Sequence, residues 1–338
     1  MKKIIILTDY RGLYRQDIRR TKGIDLKAFI NTFEKAGFPV KCIDYNQLIN
    51  KIDWPSIKDS YIVYTSSESQ EYKNYIEDIM YELNKKNVLI PKFEMLKCHE
   101  NKNFQELYKK ELGIKSLNSL VFATLRDLKK NLASIEYPVV IKKHYGAGAI
   151  SVYRAFDQKQ LFKIVKKLNR RYDFWLYYLK RIYQKVKGIR DVDLTREEKY
   201  IGRFILQPYV ANLDCDWKVL VFGEKYYVLR RGVRDNEFRA SGSGKFSYEI
   251  PPTELLDFAK KIFDIMKVPF LSLDLCMDSE GNVYLIEFQG LHFGPYTLIN
   301  SDQYFVNTDD RWKLIEGKSE LSSEYANAII YYINNIQR

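Results

Sequence analysis

The sequence predicts an α/β protein built of α+β lobes, and three stretches carry that expectation. Short apolar runs alternate with helical patterns through residues 3–91. A strand, a glycine-containing loop and a second strand occupy 137–155. A hairpin with acidic residues on one face spans 271–290. The 338 residues suffice for two or three packed lobes.

The first lobe reads as strands alternating with helices. KIIILT (3–8) is a buried strand. After a polar basic turn, Leu26, Phe29, Ile30 and Phe33 share one side of a helix over 24–37 that Gly37 stops. VKCIDY (40–45) and YIVYT (61–65) are further strands, and Ser66-Ser67-Glu68-Ser69 offers cap chemistry to a helix over 70–86. NVLIP (87–91) closes the set. Such alternation predicts a parallel sheet with helices on its faces, whose ligands sit beyond the carboxyl ends of its strands. Arg11, Arg15 and Arg19 follow the first strand at four-residue spacing. They read first as a solvated basic face and second as an anion site.

Near residue 100 the pattern changes. Asn101-Lys102 opens a helix over 102–112 that ends at Gly113. A strand is expected at 119–123 and a helix at 126–132. YPVVIKKHYGAGAISVYRA then reads as strand (139–142), loop (143–149) and strand (150–154). A glycine loop between antiparallel strands is neither a Walker loop nor a dinucleotide fingerprint, since both of those lead into a helix. It is an ordinary hairpin loop or a cover for a phosphate chain. Gly146 and Gly148 permit close backbone approach, and Lys142 supplies positive charge.

A helix over 157–168 follows, and its apolar stripe runs on through Tyr172, Leu176, Leu179, Tyr183 and Val186. One long amphipathic helix or two packed ones fit the three- and four-residue steps. Residues 190–200 read as a polar return loop. RFILQPYV (203–210) is a strand ended by Pro208, and 216–232 is a strand, a tight turn and a strand. Phe238-Arg239, the loop SGSGK (241–245) and a helix over 253–266 lead to the hairpin. GLHFGPYT and a helix near 321–336 complete the chain.

In the hairpin, Leu273, Leu275 and Met277 alternate with Ser272, Asp274 and Cys276. After the turn at 278–282, Tyr284, Ile286 and Phe288 alternate with Leu285, Glu287 and Gln289. A turn centred on Glu280-Gly281 places Asp274 across from Glu287, with Cβ atoms about 5 Å apart. Two like charges that close repel unless something positive lies between them. Gln289 adds a third oxygen to the face. Oxygen donors of this kind suit Mg²⁺.

Composition narrows the function classes. Hydrophobic content of 46% and charged content of 29% are those of an ordinary globular protein, and 27 tyrosines with 19 phenylalanines predict an aromatic core. Cys42, Cys98, Cys215 and Cys276 are far apart, which argues against zinc and a disulfide framework and fits a reducing cytoplasm. His99, His144 and His292 lack metal-ligand spacing. The apolar run near the N-terminus is only four residues, IIIL, too short for a signal peptide, and no stretch approaches the ~20 residues of a membrane span. The net charge of +12 is local: residues 159–203 hold fourteen Lys/Arg against five Asp/Glu. That is not the distribution of a nucleic-acid-binding fold.

Taken in order, these stretches resemble the ATP-grasp superfamily of carboxylate–amine ligases. The likeness is to the branch of the ribosomal-protein glutamate ligase and the prokaryotic glutathione synthetases. It covers about residues 100–290, and the preceding sheet looks like that superfamily's N-terminal lobe. The resemblance implies an N-terminal parallel α/β lobe (1–98), a small lobe (99–207) with a basic-aromatic helical insertion at about 170–200, and a C-terminal lobe (208–338), with ATP held between the two mixed lobes. It implies roles position by position. Lys102 and Lys142 match the nucleotide-binding lysines, and loop 143–149, with Gly146 and Gly148, matches the mobile phosphate cover. Gln207, Pro208, Tyr209 and Val210 match the strand end that reads adenine. Asp216-Trp217-Lys218 matches an Asp-x-Arg step. Arg230 or Arg231 matches an arginine that holds phosphate, and Phe238-Arg239 matches an aromatic–arginine pair before the substrate loop. Asp274, Glu287 and Gln289 match the metal ligands, for one or two Mg²⁺ or for Mn²⁺.

The chemistry implied is ADP-forming. A carboxylate is phosphorylated by ATP and the acyl phosphate is attacked by an amine. The alternatives carried with it are a kinase acting on a hydroxyl or sugar and a regulator that binds ATP without turnover. The substrates implied are small or carrier-linked acids and amines. The departures are Gln289 for the family's Asn, Lys218 for its Arg, Pro208 for an acidic residue, and Ala149 and Ser151 for glycines. The insertion is expected to be a packed helical pair or a homodimer contact. A surface for an acidic polymer or carrier comes second, and nucleic-acid or membrane-surface binding third.

Overall fold

The computed structural model describes residues 2–14, 23–146, 151–170, 174–189, 198–235 and 237–336. The chain forms two compact units. One is made of residues 1–99, 108–116 and 212–338, the other of 100–107 and 117–211.

The first unit holds two sheets. The N-terminal sheet is parallel, in the order β2 (Val40–Asp44), β1 (Ile4–Thr8), β3 (Tyr61–Val63), β4 (Val88–Ile90). Its helices are α1 (Leu26–Lys35), α2 (Tyr45–Lys51), α3 (Gln70–Leu83) and α4 (Phe93–Cys98). Asp25 caps α1 by accepting from the Lys27 and Ala28 N–H groups, and Asp44 with Gln47 forms a capping box at α2. The parallel α/β expectation is met, and every residue of β1 is buried, as strands covered on both faces require.

Residues 102–111 form α5 (Lys102–Glu111), whose second half belongs to the first unit. The second unit carries an antiparallel sheet in the order β5 (Leu120–Thr124), β8 (Ile201–Pro208), β6 (Val139–Lys143), β7 (Val152–Ala155). Against it lie α6 (Leu125–Lys130) and α7 (Gln158–Leu168), with Leu128, Ile141, Leu161, Val165, Phe204 and Leu206 in their shared core. The apolar stripe beyond residue 168 does not continue one long helix: Leu176, Leu179, Tyr183 and Val186 lie on a separate helix, α8 (Phe174–Val186). Asn169 ends α7, its N–H donating to the Val165 carbonyl.

The large sheet of the first unit runs β13 (Val283–Gln289), β12 (Phe270–Met277), β9 (Cys215–Phe222), β10 (Lys225–Gly232), β14 (Gln303–Thr308), β15 (Arg311–Glu316). The short β11 (Phe246–Ser247) pairs with β10. Helices α9 (Thr253–Met266), α10 (Tyr296–Asn300) and α11 (Leu321–Ile336) accompany it. The β14–β15 hairpin, α2, α4 and α10 are additions to the sequence reading.

A single apolar core joins the two sheets of this unit. Ile4, Phe29 and Phe33 share it with Phe222, Phe270, Tyr325 and Ile333. Tyr325 meets Phe222 and Phe270 with ring centroids 4.8 Å apart in both cases, at steep angles, an arrangement that adds about 0.5–1.5 kcal/mol per pair beyond area burial.

Candidate functional site

The large sheet gathers charged side chains onto one face by register. Asp274 on β12 pairs with Glu287 on β13 and with Lys218 on β9, and Ser272 pairs with Gln289. On the other side of β9, Asp216 pairs with Arg231 on β10. Residues directly opposite in antiparallel strands point to the same face, and so do residues two apart on one strand. Asp216, Lys218, Arg231, Asp274, Glu287 and Gln289 therefore share a face.

A β-bulge sets the central pair. Near the turn the register is Met277 to Val283 and Leu275 to Leu285, centred on Glu280 rather than on Glu280-Gly281. Ile286 is an extra residue that moves the pairing on by one, so that Asp274 meets Glu287. Burial follows: Leu285 and Phe288, three residues apart, are both buried, whereas strict alternation had put Leu285 on the polar face. The turn is held by the Asp278 carboxylate, which accepts from the Glu280 and Asn282 N–H groups at 2.9 Å, and Gly281 takes φ +84° there.

Arg231 is the positive group between Asp274 and a third carboxylate, Asp216. It is 7% exposed, and it donates from Nε to Asp216 Oδ1 at 2.5 Å and lies 3.0 Å through Nη2 from Asp274 Oδ2. Lys218 Nζ lies 3.2 Å from Asp274 Oδ1 and 2.9 Å from Ser272 Oγ. Burial alone would raise the pKa of Asp274, but Arg231 and Lys218 outweigh it and hold the carboxyl well below the ordinary range. Asp216 goes the other way: burial and then the nearby Asp274 charge raise it, against the pull of Arg231. Arg231 is held in its charged form, since the two carboxylates outweigh its burial.

Arg230 stands opposite Trp217, on the other face, and pairs with Asp214 at 2.7 Å and Glu249 at 3.1 Å. The register therefore distinguishes two residues that the sequence left as alternatives. Arg239 lies against Glu237 at 2.6 Å. Ser272 was missed by sequence reading, although its place two residues before Asp274 on the same strand face marked it as a neighbour.

Glu287 and Gln289 sit together, with Gln289 Nε2 donating to Glu287 Oε1 at 3.3 Å. Gln289 Oε1 is buried and has no hydrogen-bond partner. A buried acceptor without a donor, beside the Glu287 carboxylate, is compatible with an oxygen-liganded cation. Among the described residues, no cluster of three or more His, Cys, Asp or Glu forms a metal cage by itself. A Mg²⁺ here would need further oxygens, such as those of phosphates.

The second unit carries Lys102, Lys142, Gly146 and Gln207 to Val210. Lys102 opens α5, its N–H donating to the His144 carbonyl at 2.9 Å and its Nζ to the Gly146 carbonyl at 3.0 Å. The Gly146 N–H in turn donates to Glu100 Oε2 at 2.9 Å. The start of the glycine loop is thus clamped by two residues flanking Asn101. Gly146 takes φ +115°, a conformation that side-chain-bearing residues rarely adopt. Gly148 lies outside the described residues, as do Arg15 and Arg19; Arg11 is paired with Asp9. Lys142, buried on β6, pairs with Ile205 of β8, and Gln207 pairs with Val140. Gln207 Nε2 donates to Ser119 Oγ at 3.2 Å, and Pro208 pairs with Val139 at the strand end. The Tyr209 ring lies under the Arg154 guanidinium at 4.8 Å, and Val210 is half-buried beside it.

No model of a known protein family matches this chain, and no curated relative does. Solved structures do. A D-cycloserine synthetase aligns with a TM-score of 0.57 at 14% identity, covering 96% of this chain and 98% of its own. A RiPP-associated ATP-grasp ligase from Chryseobacterium gregarium, in complex with ADP and a leader and core peptide, aligns at 0.55 and 13%, covering 98% and 97%. The D-alanine–D-alanine ligase from Bacillus anthracis, complexed with ATP, aligns at 0.52 and 13%, covering 100% and 99%. At such identity the likeness is one of fold, and it extends over nearly the whole chain.

Proposed function

We propose, from the ATP-grasp fold as premise, that this chain is an ATP- and Mg²⁺-dependent ligase that joins a carboxylate to an amine with release of ADP. The observation that carries the reading is the row Glu287–Asp274–Lys218 on one sheet face, with Arg231 bridging Asp274 to Asp216. The solved relatives add support: the three described above are synthetases or ligases, one with ATP and one with ADP.

In this reading Gln207 to Val210 supply the backbone groups and walls for adenine, and Lys102 and Lys142 meet the phosphates. Asp274, Glu287 and Gln289 would hold Mg²⁺, which would supply charge neutralisation at the phosphates. Arg231 and Lys218, already positioned by Asp216 and Ser272, present positive charge where negative charge develops. A carboxylate oxygen of the acid attacks the γ-phosphorus and ADP leaves. The amine nitrogen then attacks the acyl carbon, inorganic phosphate leaves, and the nitrogen loses a proton. Loop 143–149 covers the phosphates and keeps water from the acyl phosphate.

An ADP-release screen of acids crossed with amines tests this. The proposal expects turnover that needs both an acid and an amine. ADP release with one hydroxyl acceptor alone would establish a kinase instead, and ATP binding without ADP under every pairing would establish a regulator.

A further inference from the structure

We propose that α8 docks the protein on an anionic phospholipid surface, its apolar face in the headgroup boundary and its lysines among the phosphates. The helix is turned the opposite way from an ordinary amphipathic helix. Among its described side chains Tyr177 is buried, 5% exposed, while Leu176, Leu179, Tyr183 and Val186 are 71%, 59%, 58% and 79% exposed. At about 100° per residue, Val186 stands directly opposite Tyr177, with Leu179 beside it and Leu176 and Tyr183 flanking. The apolar arc thus points away from the body of the protein. A contiguous exposed patch of this kind marks an interaction surface.

Charge selects the occupant. Lys180 and Lys187 line one rim of the arc and Lys185 the other, on the same helical geometry. Residues 174–189 hold no Asp or Glu, and neither does the preceding helix, residues 158–168, where Lys159, Lys163, Lys166 and Lys167 are exposed. A second copy packed arc to arc would set these basic rims side by side with no acid on the helix to pair them. Anionic headgroups supply the countercharge and the acyl boundary takes the apolar arc together. The helix of 13 residues is about 20 Å long, too short to cross a ~30 Å hydrocarbon core, which leaves the in-plane orientation. Among the described residues no helix is long and apolar enough to span a membrane.

The test is sedimentation of the full chain with vesicles of phosphatidylcholine alone and of phosphatidylcholine mixed with phosphatidylglycerol. Binding is expected to the mixed vesicles, weakening as salt rises. Leu179→Glu with Val186→Glu should lower that binding at least about tenfold. Lys180→Gln, Lys185→Gln and Lys187→Gln should each lower it roughly fivefold. Mixed vesicles should shift the intrinsic fluorescence to the blue in the parent and less so in Trp175→Phe. These side chains are exposed, and an unchanged circular dichroism spectrum and melting midpoint confirm that each variant folds. The lysine variants carry the test if the glutamate pair does not fold. No sedimentation, equal binding to both vesicle types, or full binding by the glutamate pair would overturn the proposal. So would binding of poly-L-glutamate without binding of vesicles, or a stable dimer in light scattering that the glutamate pair dissociates.

Discussion

Asp274 lies directly across from Glu287 because β13 carries one residue more than β12 between that pair and the turn. Without a residue at 286 the same two carboxylates would still face each other, since Leu285 would be followed at once by Glu287. Deleting Ile286 is therefore expected to keep a Mg²⁺-dependent rise in melting midpoint with ATP. Deleting Leu285 sets Ile286 opposite Leu275 with Glu287 again next in line, so the same outcome is expected, and loss of the rise in both variants would show that the bulge itself is required. Asp274→Asn or Glu287→Gln should lower ADP formation by on the order of 10²-fold or more, with the overall fold intact by circular dichroism.

The two neighbouring arginines should behave differently. Arg231→Met leaves Asp216 and Asp274 buried without their shared partner, and a loss of about 3–5 kcal/mol in urea unfolding is expected. Arg230→Met removes partly exposed pairs and should cost at most about 1 kcal/mol. Equal losses would show that the register does not set their roles. Arg231→Lys should recover only part of the loss, because one ammonium cannot reproduce the planar fork.

The clamp on the glycine loop gives a separable effect. Lys102→Met removes the donor to the Gly146 carbonyl together with a phosphate contact of the proposed site. ATP affinity, measured by calorimetry, should fall by on the order of 10²-fold. Glu100→Gln keeps the side-chain shape and weakens the acceptor for the Gly146 N–H, so a smaller loss is expected.

His144 makes this unit sensitive to acid. Burial first, and then the Arg203 charge, lower its pKa from 6.5 to about 4. The unfolded chain takes up the proton more readily than the folded one. The stabilising contribution is thus complete above about pH 6.5 and is lost as pH falls towards about 4. Chemical unfolding midpoints across that window should drop in the parent and drop less in His144→Asn. A flat parent profile would remove His144 from the account.

Local patterns made much of this fold legible. The alternation of 3–8, 40–45 and 61–65 with helices gave the parallel sheet, because each strand is a short apolar run with its own cap or turn. The facing of Asp274 and Glu287 was readable from a turn of almost the right centre, and the half-residue error was cancelled by Ile286. A bulge leaves only a weak mark in sequence, the three-residue step between Leu285 and Phe288. The bridging role of Arg231 was not readable: it depends on which of two adjacent residues lies on the sheet face of Asp216 and Asp274, and that is set by pairing across strands far apart in the chain. Helix α2 does have a local signal, Asp44 three residues before Gln47, which the stronger strand pattern preceding it obscures. The outward turn of α8 was hidden for the opposite reason. Its periodicity is that of a helix with a buried stripe, and periodicity does not say which side the body lies on.

The shared core of the first unit has a consequence for synthesis. Ile4, Phe29 and Phe33 leave the ribosome early, but their packing partners Tyr325 and Ile333 are about three hundred residues later. At typical elongation rates of roughly 5–20 residues per second, the interval is on the order of 15–60 seconds. Throughout it the nascent N-terminal sheet bears an uncovered apolar flank, while the intervening unit has all of its own sheet and core in hand. The chain is thus arranged to complete its middle before its beginning.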